Sequence, residues 1–295
     1  MAIGHTGLNG CVIVIVFAVM RSGVSESNVA ISGTAQQSSN MDNARWLAEE
    51  AVDGCVQTTI TSGCCSHTRA IGPNTAWWRV DLGTLVTINA ITIYYRGNSQ
   101  YRLAGYQLYV SNITSSPREG VLCYEDTSTT LAAVQLTITH QCPYVGRYVT
   151  VYNYRNTPKR YDWYYDYAVL ELCEVQVWGC QVGTHGNGNC DRACSGNCYG
   201  GNCNATTGAC FYCFTGSYGD FCNKTCPLSC KNNKCKKDSG NCYDCIAQKY
   251  GVKCEQDCSI NCKDRLCGKD SGHCYGKVES ACRFQLIMVT KSMLQ

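Results

Sequence analysis

The chain is poor in charge. Charged residues make up 16% of its 295 residues, the formal net charge is +3, and no long run of lysine or arginine occurs. A protein that binds nucleic acid through phosphate contacts presents a basic patch or stripe, which this composition does not supply. Nothing in the charge balance therefore indicates a nucleic acid or another strongly charged partner.

The sequence also lacks an apolar run long enough to span a bilayer, which takes about 20 residues. The apolar run at residues 11–20 is half that length, and small residues follow it. We interpret residues 1–25 as a secretory signal peptide; the alternative is a buried N-terminal strand. The many cysteines favour export, because the cytosol keeps thiols reduced, and they predict a secreted, extracellular protein. Three sequons predict glycosylation at Asn112, Asn204 and Asn223.

A recognisable catalytic motif is a third absence. Beyond the predicted signal peptide the histidines are His67, His140, His185 and His273, and none lies in such a motif. We therefore expect a binding protein and not an enzyme.

Composition divides the chain near Cys180. All five tryptophans precede this residue, whereas 19 of the 26 cysteines lie at or after it. A chain of this length allows about two domains. We predict a first domain at residues 28–179, a cysteine-rich part at 180–276, and a divergent, disordered tail at 277–295.

The first domain has the pattern of an all-β protein. Val, Ile, Tyr and Thr alternate with polar residues in four runs, at 86–94, 106–110, 147–154 and 169–177, with Gly and Asn between them. Period-2 alternation of this kind predicts antiparallel strands that pack as a sandwich. About 150 residues are enough for one hydrophobic core.

Five ordered motifs connect this domain to a known family. They are NVA at Asn28, AVDG at Ala51, WWRVDL at Trp77, GRYVTVY at Gly146 and LCEVQV at Leu172. Together with residues 64–102 they resemble the F-type lectins, or fucolectins, which are related to F5/8 type C domains. The resemblance implies a jelly-roll β-sandwich.

In F-type lectins one histidine and two arginines hydrogen-bond an L-fucose, and the resemblance places these roles on His67, Arg96 and Arg102. Arginine suits a neutral, polyhydroxylated ligand because its guanidinium offers five donors in a rigid fork. The partners implied are fucosylated glycans or glycoproteins. Candidates for the apolar wall of the site are Tyr94, Tyr95 and Tyr101.

The arginine motif departs from the family pattern Arg-x-Asp-x4-Arg. One residue is missing between Arg96 and Arg102, the vicinal cysteines are absent, and Asn98 replaces the orienting aspartate. An amide can align two guanidiniums but cannot neutralise them. Two functions thus stay open: a calcium-dependent fucose-binding lectin of cell recognition or innate defence, and a protein-binding adhesion or scavenger-receptor ectodomain without sugar binding.

The resemblance also implies a structural calcium ion. Asp53 and Glu174 match its carboxylate ligands, and calcium prefers oxygen ligands of this kind. The matching backbone carbonyls belong to Glu50, Cys55, Cys64 and Cys173. The alternative is that residues 53–54 form only a turn and that Glu174 is a solvated strand residue.

Six cysteines of this domain are expected to form three disulfides. Cys64 and Cys65 are adjacent, and neighbouring residues of an extended chain point to opposite faces, so they need different partners. The resemblance implies Cys65–Cys173 and Cys123–Cys142. By elimination, Cys55 pairs with Cys64.

The cysteine-rich part contains an internal repeat of 32 residues. Cys190, Cys194, Cys198, Cys203, Cys210, Cys213 and Cys222 recur 32 positions later, and a third copy starts at Cys258. Its sparse Leu, Ile and Val cannot build a core, so disulfides must replace one. The alternative is zinc, because each full copy contains a C-x2-C pair.

The spacing resembles the EGF-like repeats of multiple-EGF and scavenger-type receptors. By analogy it implies the pairs Cys180–Cys190, Cys194–Cys203, Cys198–Cys210, Cys213–Cys222, Cys226–Cys235, Cys230–Cys242, Cys245–Cys254, Cys258–Cys267 and Cys262–Cys274. Such repeats are expected to form a stalk and to contact cell-surface or matrix proteins.

The third copy ends early, since Lys277 stands where a cysteine is expected. This leaves Cys282 unpaired, as in a shortened form of a longer repeat protein. A last feature is the aromatic run at residues 161–167, which we expect to pack over the edge of the sandwich; the alternative is a ligand-facing patch.

Overall fold

The computed structural model describes residues 27–31, 33–186 and 189–278. The predicted signal peptide, Cys282 and nearly all of the predicted tail lie outside these residues. Within the described ranges, no helix is both long and apolar enough to traverse a bilayer.

The first part of the chain is a β-sandwich organised around one long strand. Its strands are β1 (Thr34–Gln37), β2 (Thr75–Tyr95), β3 (Gln107–Ser111), β4 (Val121–Glu125), β5 (Thr137–Gln141), β6 (Val145–Tyr154) and β7 (Leu172–Gln181). The short helix α1 (Gln100–Leu103) follows β2, and 3-10 turns occupy Ala48–Ala51, Ile60–Ser62 and Leu131–Ala133.

Strand β2 belongs to both layers. Its first half pairs with β1 and β6, and β6 continues through β3 to β4. Its second half pairs with β5 and β7. The register shifts between Asp81 and Val86, where Gly83 has φ +77° and donates its N–H to Asp81. A left-handed glycine at this point lets one strand bend from one layer into the other.

The core lies between the layers because alternate residues of the strands face inward. Trp78 and Val80 of β2, Val149 of β6 and Val175 of β7 are fully buried in one continuous cluster. The all-β jelly-roll prediction is therefore confirmed.

The strand bounds differ from the predicted runs. β2 begins eleven residues before position 86, because the segment around Trp77 pairs with β6 all the way from Thr75. The last strand begins at Leu172 and not at 169, because residues 168–171 bond to other segments of the chain. The strands β1, β4 and β5 have no counterpart among the predicted runs.

Every cysteine in the described ranges is in a disulfide, and the pairs are those named above. The sandwich contains Cys55–Cys64, Cys65–Cys173 and Cys123–Cys142. The repeats contain Cys180–Cys190, Cys194–Cys203, Cys198–Cys210, Cys213–Cys222, Cys226–Cys235, Cys230–Cys242, Cys245–Cys254, Cys258–Cys267 and Cys262–Cys274. Buried cystines form the centre of each repeat, as the shortage of aliphatic residues requires.

Consecutive units are joined by one recurring contact. Between the first and second repeats, Gly219 donates its N–H to the carbonyl of Lys237 at 2.7 Å, and the Tyr218 ring covers Gly240. Gly251 and Lys269 make the same bond at the next junction. The sandwich joins the first repeat through equivalent contacts, in which His185 covers Gly208.

Two-stranded ribbons accompany these junctions. They are β8 (Thr184–His185) with β9 (Arg192–Ala193), β10 (Ser217–Tyr218) with β11 (Lys224–Thr225), and β12 (Lys249–Tyr250) with β13 (Gln256–Asp257). The 3-10 turns of the repeats are Tyr199–Gly201, Lys231–Asn233 and Lys263–Arg265.

Candidate functional site

The candidate site forms where three chain segments meet beside the start of β7. The N–H groups of Ser66 and Thr68 donate to the carbonyls of Leu172 and Leu170, at 2.7 and 3.0 Å. Arg96, just after β2, donates its N–H to the carbonyl of Glu171 at 3.1 Å. Backbone bonds thus fix Glu171 between the segments that carry His67 and Arg96.

The side chain of Glu171 is the centre of the site. Its Oε1 accepts hydrogen bonds from His67 Nε2 at 2.8 Å, from Arg102 Nη1 at 3.0 Å and from Arg96 Nη1. Glu171 has no exposed surface. The structure therefore brings the three predicted sugar-binding residues together, on a carboxylate that the sequence analysis did not name.

The charge of Glu171 is stabilised by its neighbours. Burial raises the pKa of this carboxyl, but the hydrogen bond and charge of His67, the charge of Arg102 and the hydrogen bond of Arg96 outweigh burial and hold the pKa at about 2. Glu171 is thus an internal counter-ion for two guanidiniums.

Two polar atoms of the cluster remain without a hydrogen-bond partner among the described residues. They are Oε2 of Glu171 and Nε of Arg102, and both are buried. A buried polar group without a partner is unfavourable, so this cluster retains capacity for one more acceptor and one more donor.

His67 is more enclosed than a ligand-contacting residue would be. Only 5% of its surface is exposed, and its ring lies 6.0 Å from that of Trp46. Nδ1 lies 2.5 Å from the carbonyl oxygen of Thr68, while Nε2 faces Glu171. Both ring nitrogens thus face acceptors inside the protein.

The arginines are the accessible members of the cluster. The exposed fraction of the side chain is 30% for Arg96 and 16% for Arg102. Arg102 lies on α1, and its carbonyl accepts hydrogen bonds from Asn153 Nδ2 and Arg155 Nη2 at 2.8 and 2.7 Å. These bonds hold the short helix, and with it Arg102, against β6.

Aromatic side chains flank Arg102. The guanidinium carbon lies 4.7 Å from the ring centroid of Tyr165 and 5.7 Å from that of Tyr101, within the range of cation–π contacts. Tyr94 is half-buried. Tyr95, in contrast, is fully buried and donates its hydroxyl to the carbonyl of Val169, so its assignment to the apolar wall is wrong.

Tyr165 comes from the aromatic run at residues 161–167. Tyr164 is buried, and Tyr161 and Trp163 pack against the core cluster. The run therefore covers the edge of the sandwich, as expected, while one of its members reaches the site.

The expectation for Asn98 is wrong. Asn98 is exposed in the left-handed conformation with φ +59°, and no hydrogen bond among the described residues joins it to Arg96 or Arg102. The alignment and the neutralisation of the arginines both come from Glu171. A glutamate within the apolar run at residues 169–172 was the available sequence signal.

The predicted calcium ligands lie on both sides of the contact between residues 50–55 and β7. Glu174 is fully buried; its Oε2 accepts the N–H of Gly54 at 3.2 Å, and Asn28 lies 3.5 Å from Oε1. Asp53 is exposed and accepts the N–H of Cys55 at 2.7 Å. Within the described ranges, Glu174 has no cationic side chain as a partner.

This environment fits a cation. Burial first, and then the charge of Asp53, raise the pKa of Glu174 to about 7, because the hydrogen bonds from Gly54 and Asn28 offset burial only in part. No group of three or more His, Cys, Asp or Glu side chains in the described ranges could hold a metal. A hard cation at this position would therefore depend on backbone carbonyls in addition to the two carboxylates.

The predicted glycosylation sites differ in accessibility. Asn112 and Asn223 are exposed. Asn204 is half-buried, and its Oδ1 accepts the N–H groups of Thr206 and Thr207 at 3.0 and 2.8 Å.

Comparison with known proteins finds relatives of this chain. A family model described as NedA-like, galactose-binding domain matches residues 50–151. Fucolectin-4 of Anguilla japonica is 35% identical over 161 residues, which are 52% of this chain and 81% of that protein. The fucolectin of Anguilla anguilla is 32% identical over 165 residues, or 54% of this chain and 95% of that protein.

Among solved structures, an F-lectin (fucolectin) from the serum of the striped bass Morone saxatilis is 28% identical with a TM-score of 0.45. The match covers 53% of this chain and 50% of that chain.

A jelly-roll sandwich with a cluster of hydrogen-bond donors beside the start of its last strand defines the first part of the chain as a lectin-type domain. On sequence identity and coverage, the chain belongs to the fucolectin, or F-type lectin, family. The matches with these relatives cover 52% and 54% of the chain, so the family assignment concerns about half of the sequence.

Proposed function

We propose that this protein is a secreted lectin that binds fucosylated glycans in cell recognition or innate defence. The observation that carries the proposal is the convergence of His67, Arg96 and Arg102 on one carboxylate, with both arginine side chains partly exposed. A neutral sugar is recognised by fixed donors and an apolar surface, which the two arginines and Tyr101 supply.

The comparisons support the same ligand class. The relatives from Anguilla japonica and Anguilla anguilla are named fucolectins.

We further propose a structural calcium ion between residues 50–55 and β7. Asp53 and Glu174 would supply its carboxylates, and the carbonyls of Glu50, Cys55, Cys64 and Cys173 its remaining protein ligands. The ion would neutralise the buried Glu174 and tie the turn to the strand, which stabilises the sandwich without taking part in sugar recognition.

The cysteine-rich part is proposed to act as an EGF-like stalk. Its short ribbons and disulfide-centred repeats suit an oxidising, extracellular environment. Since every described cysteine is in a disulfide, none of these residues provides a free thiol nucleophile, and we propose binding without catalysis.

A glycan array probed with the purified protein tests the proposal. We expect signals on fucosylated glycans that free L-fucose abolishes and that free D-galactose leaves unchanged. Binding that ignores L-fucose, or no binding to any fucosylated glycan, would overturn it.

The burial of His67 favours a second candidate, a protein-binding ectodomain on an inherited lectin scaffold. A residue whose ring is enclosed and whose two nitrogens face internal acceptors does not present the free donor that the family resemblance implies. An array without fucose-dependent signals would favour this function.

A further inference from the structure

The three predicted sugar-binding side chains each commit one donor to the same oxygen of Glu171. We propose that Glu171 is the positioning residue of the sugar site, and that the ligand meets the outer edges of Arg96 and Arg102 and not the ring of His67. This inference rests on the proposed function for its ligand, but its structural part is tested below without sugar.

The first argument is electrostatic. Arg96 and Arg102 approach one oxygen atom, and two guanidiniums so close together repel each other unless an anion lies between them. Glu171 is that anion, and it is held rigidly because the backbone on either side of it bonds to residues 66–68 and its own carbonyl bonds to Arg96. The buried carboxylate of Glu171 thus fixes the orientation of both guanidiniums.

The second argument concerns His67. Its Nδ1 faces the Thr68 carbonyl at 2.5 Å and its Nε2 faces the carboxylate at 2.8 Å, so each N–H that the ring can carry has an internal acceptor. With 5% of its surface exposed, the ring has no donor to offer a ligand. Its contribution is to fix Glu171, which in turn fixes the arginines.

Both arginines have N–H groups that Glu171 does not use. A guanidinium has five N–H groups, and each arginine gives one of them, on Nη1, to Glu171. The Arg96 side chain is 30% exposed, and the Arg102 guanidinium carbon lies 5.7 Å from the ring centroid of Tyr101 and 4.7 Å from that of Tyr165. These groups suit the hydroxyl and ring oxygens of one neutral sugar, with an aromatic face for its carbon atoms.

The test uses the whole secreted chain and compares wild type with Glu171→Gln, which keeps the size of the side chain and removes its charge. The matched control is Asp126→Asn, another buried carboxylate, which accepts N–H groups of Gly105 and Ser128 and touches none of the three site residues. A Glu171→Asp variant keeps the negative charge, but its side chain is shorter by one methylene group. It serves in place of the Gln variant if that protein does not fold.

Side-chain NMR of arginine and histidine is measured first without sugar. We expect resolved, slowly exchanging Nη–H signals for Arg96 and Arg102 in wild type and in Asp126→Asn, because Nη1 of each arginine donates to Glu171, and we expect these signals to broaden or disappear in both Glu171 variants. Equal signals in wild type and in the Glu171 variants would overturn the positioning role, whether or not the protein binds fucose.

L-Fucose is then titrated into each folded protein. We expect the arginine signals of wild type to shift while the His67 ring signals stay in place, and the affinity to fall at least tenfold in Glu171→Gln but less than twofold in Asp126→Asn. Saturable shifts of the His67 ring that match those of the arginines, or unchanged affinity in Glu171→Gln, would overturn the inference. If wild type shows no fucose binding, the proposed ligand is wrong, and the sugar-free measurement alone decides the role of Glu171.

Discussion

At the scale of single residues, the site depends on the shape of a guanidinium more than on its charge. Arg96 gives one N–H to Glu171 while its side chain stays 30% exposed, and its planar fork holds the remaining N–H groups in fixed directions, which an ammonium on a flexible stem cannot do. The first prediction follows from this difference.

We expect Arg96→Lys to abolish fucose binding although it keeps the positive charge. A single sugar site of this size should bind with a Kd on the order of 10 μM to 1 mM, and the loss should be at least tenfold. Calorimetric titration at low and at moderate salt measures it. Arg265→Lys, at an exposed position in the third repeat, is the matched control. Binding by Arg96→Lys at the wild-type affinity would refute the role of the fork.

A second residue gives a pH dependence. His140 is buried, its Nε2 lies 2.6 Å from the Tyr106 hydroxyl, and its ring stacks on Tyr124. Burial, only partly opposed by the charge of Asp126, lowers the pKa of His140 to about 4. A histidine with a lowered pKa stabilises the fold above its unfolded pKa, and this contribution is lost as the pH falls from about 6.5 to 4.

We therefore expect wild type to lose up to about 3 kcal/mol of unfolding free energy between pH 7 and pH 4 that His140→Gln does not lose. Urea denaturation of both proteins at the two pH values measures this loss. Groups other than His140 titrate in both proteins, so their contributions cancel when the two losses are subtracted. The exposed His273→Gln should follow wild type. Parallel pH profiles for His140→Gln and wild type would contradict the assignment.

Sequence reasoning named three of the four side chains of the cluster and missed the fourth. The position of Glu171 in an apolar run was a signal that its carboxylate is buried, but alternation does not say which side chains it meets. Its partners Arg96 and His67 are 75 and 104 positions away along the chain. Contacts of this kind arise only when the sandwich closes, and no local pattern encodes them.

At the scale of elements, the turn at residues 50–55 and the strand β7 depend on each other. A buried carboxylate without a cationic partner is unfavourable, and Glu174 is such a group. Binding of a cation only to the folded state stabilises that state by mass action.

We expect calcium to raise the Tm of the sandwich, with a gain of about 2.7 kcal/mol when calcium is a hundredfold above its Kd. Asp53→Asn and Glu174→Gln should each remove the increment, and Glu49→Gln, an exposed carboxylate of the same segment, should keep it. Calorimetric melting in calcium and in EDTA provides the test. Identical melting of wild type in the two buffers would contradict the calcium proposal.

The elements themselves were predictable in type but not in extent. Alternation marks the second half of β2, where β5 and β7 flank it. The first half, from Thr75 to Asp81, has a tryptophan on each face. Trp78 is in the core, and Trp77 on the opposite face is half-buried. Burial on both faces obscures the period-2 pattern, so this half was missed.

At the scale of the whole molecule, the sandwich and the repeats are stabilised in different ways. The sandwich has a continuous apolar core, whereas the repeats have buried cystines and exposed large side chains such as Leu228 and Ile260. Each part should therefore respond to a different perturbation.

We expect a reductant, and not a chelator, to unfold the repeats. Disulfides substitute for a core there, and removing one from a small domain typically costs about 2 to 5 kcal/mol. Limited proteolysis after mild reduction, with cleavage sites mapped by mass spectrometry, should show cuts after Cys180 first, and EDTA alone should give none. Release of zinc together with new thiols on EDTA treatment would contradict the disulfide assignment.

The pairs of the repeats were implied by the resemblance to EGF-like repeats, since cysteine spacing alone does not fix connectivity, and the structure contains the same pairs. The junctions were not predictable. The Tyr218 ring meets a glycine 22 positions further on, and that contact depends on where two separate disulfide frameworks place their surfaces.

These junctions have a geometric consequence. The bond from Gly219 to Lys237 recurs as the bond from Gly251 to Lys269, and the contact of Tyr218 with Gly240 recurs as that of Tyr250 with Gly272. We therefore expect one repeat to be related to the next by a similar rotation and translation. Such an operation is a screw. Because the sandwich is attached by the equivalent contact of His185 with Gly208, each repeat added or removed turns and advances the sugar site by one step of that screw. The number of repeats then sets not only how far the arginines are held from an attachment point but also the direction in which they face.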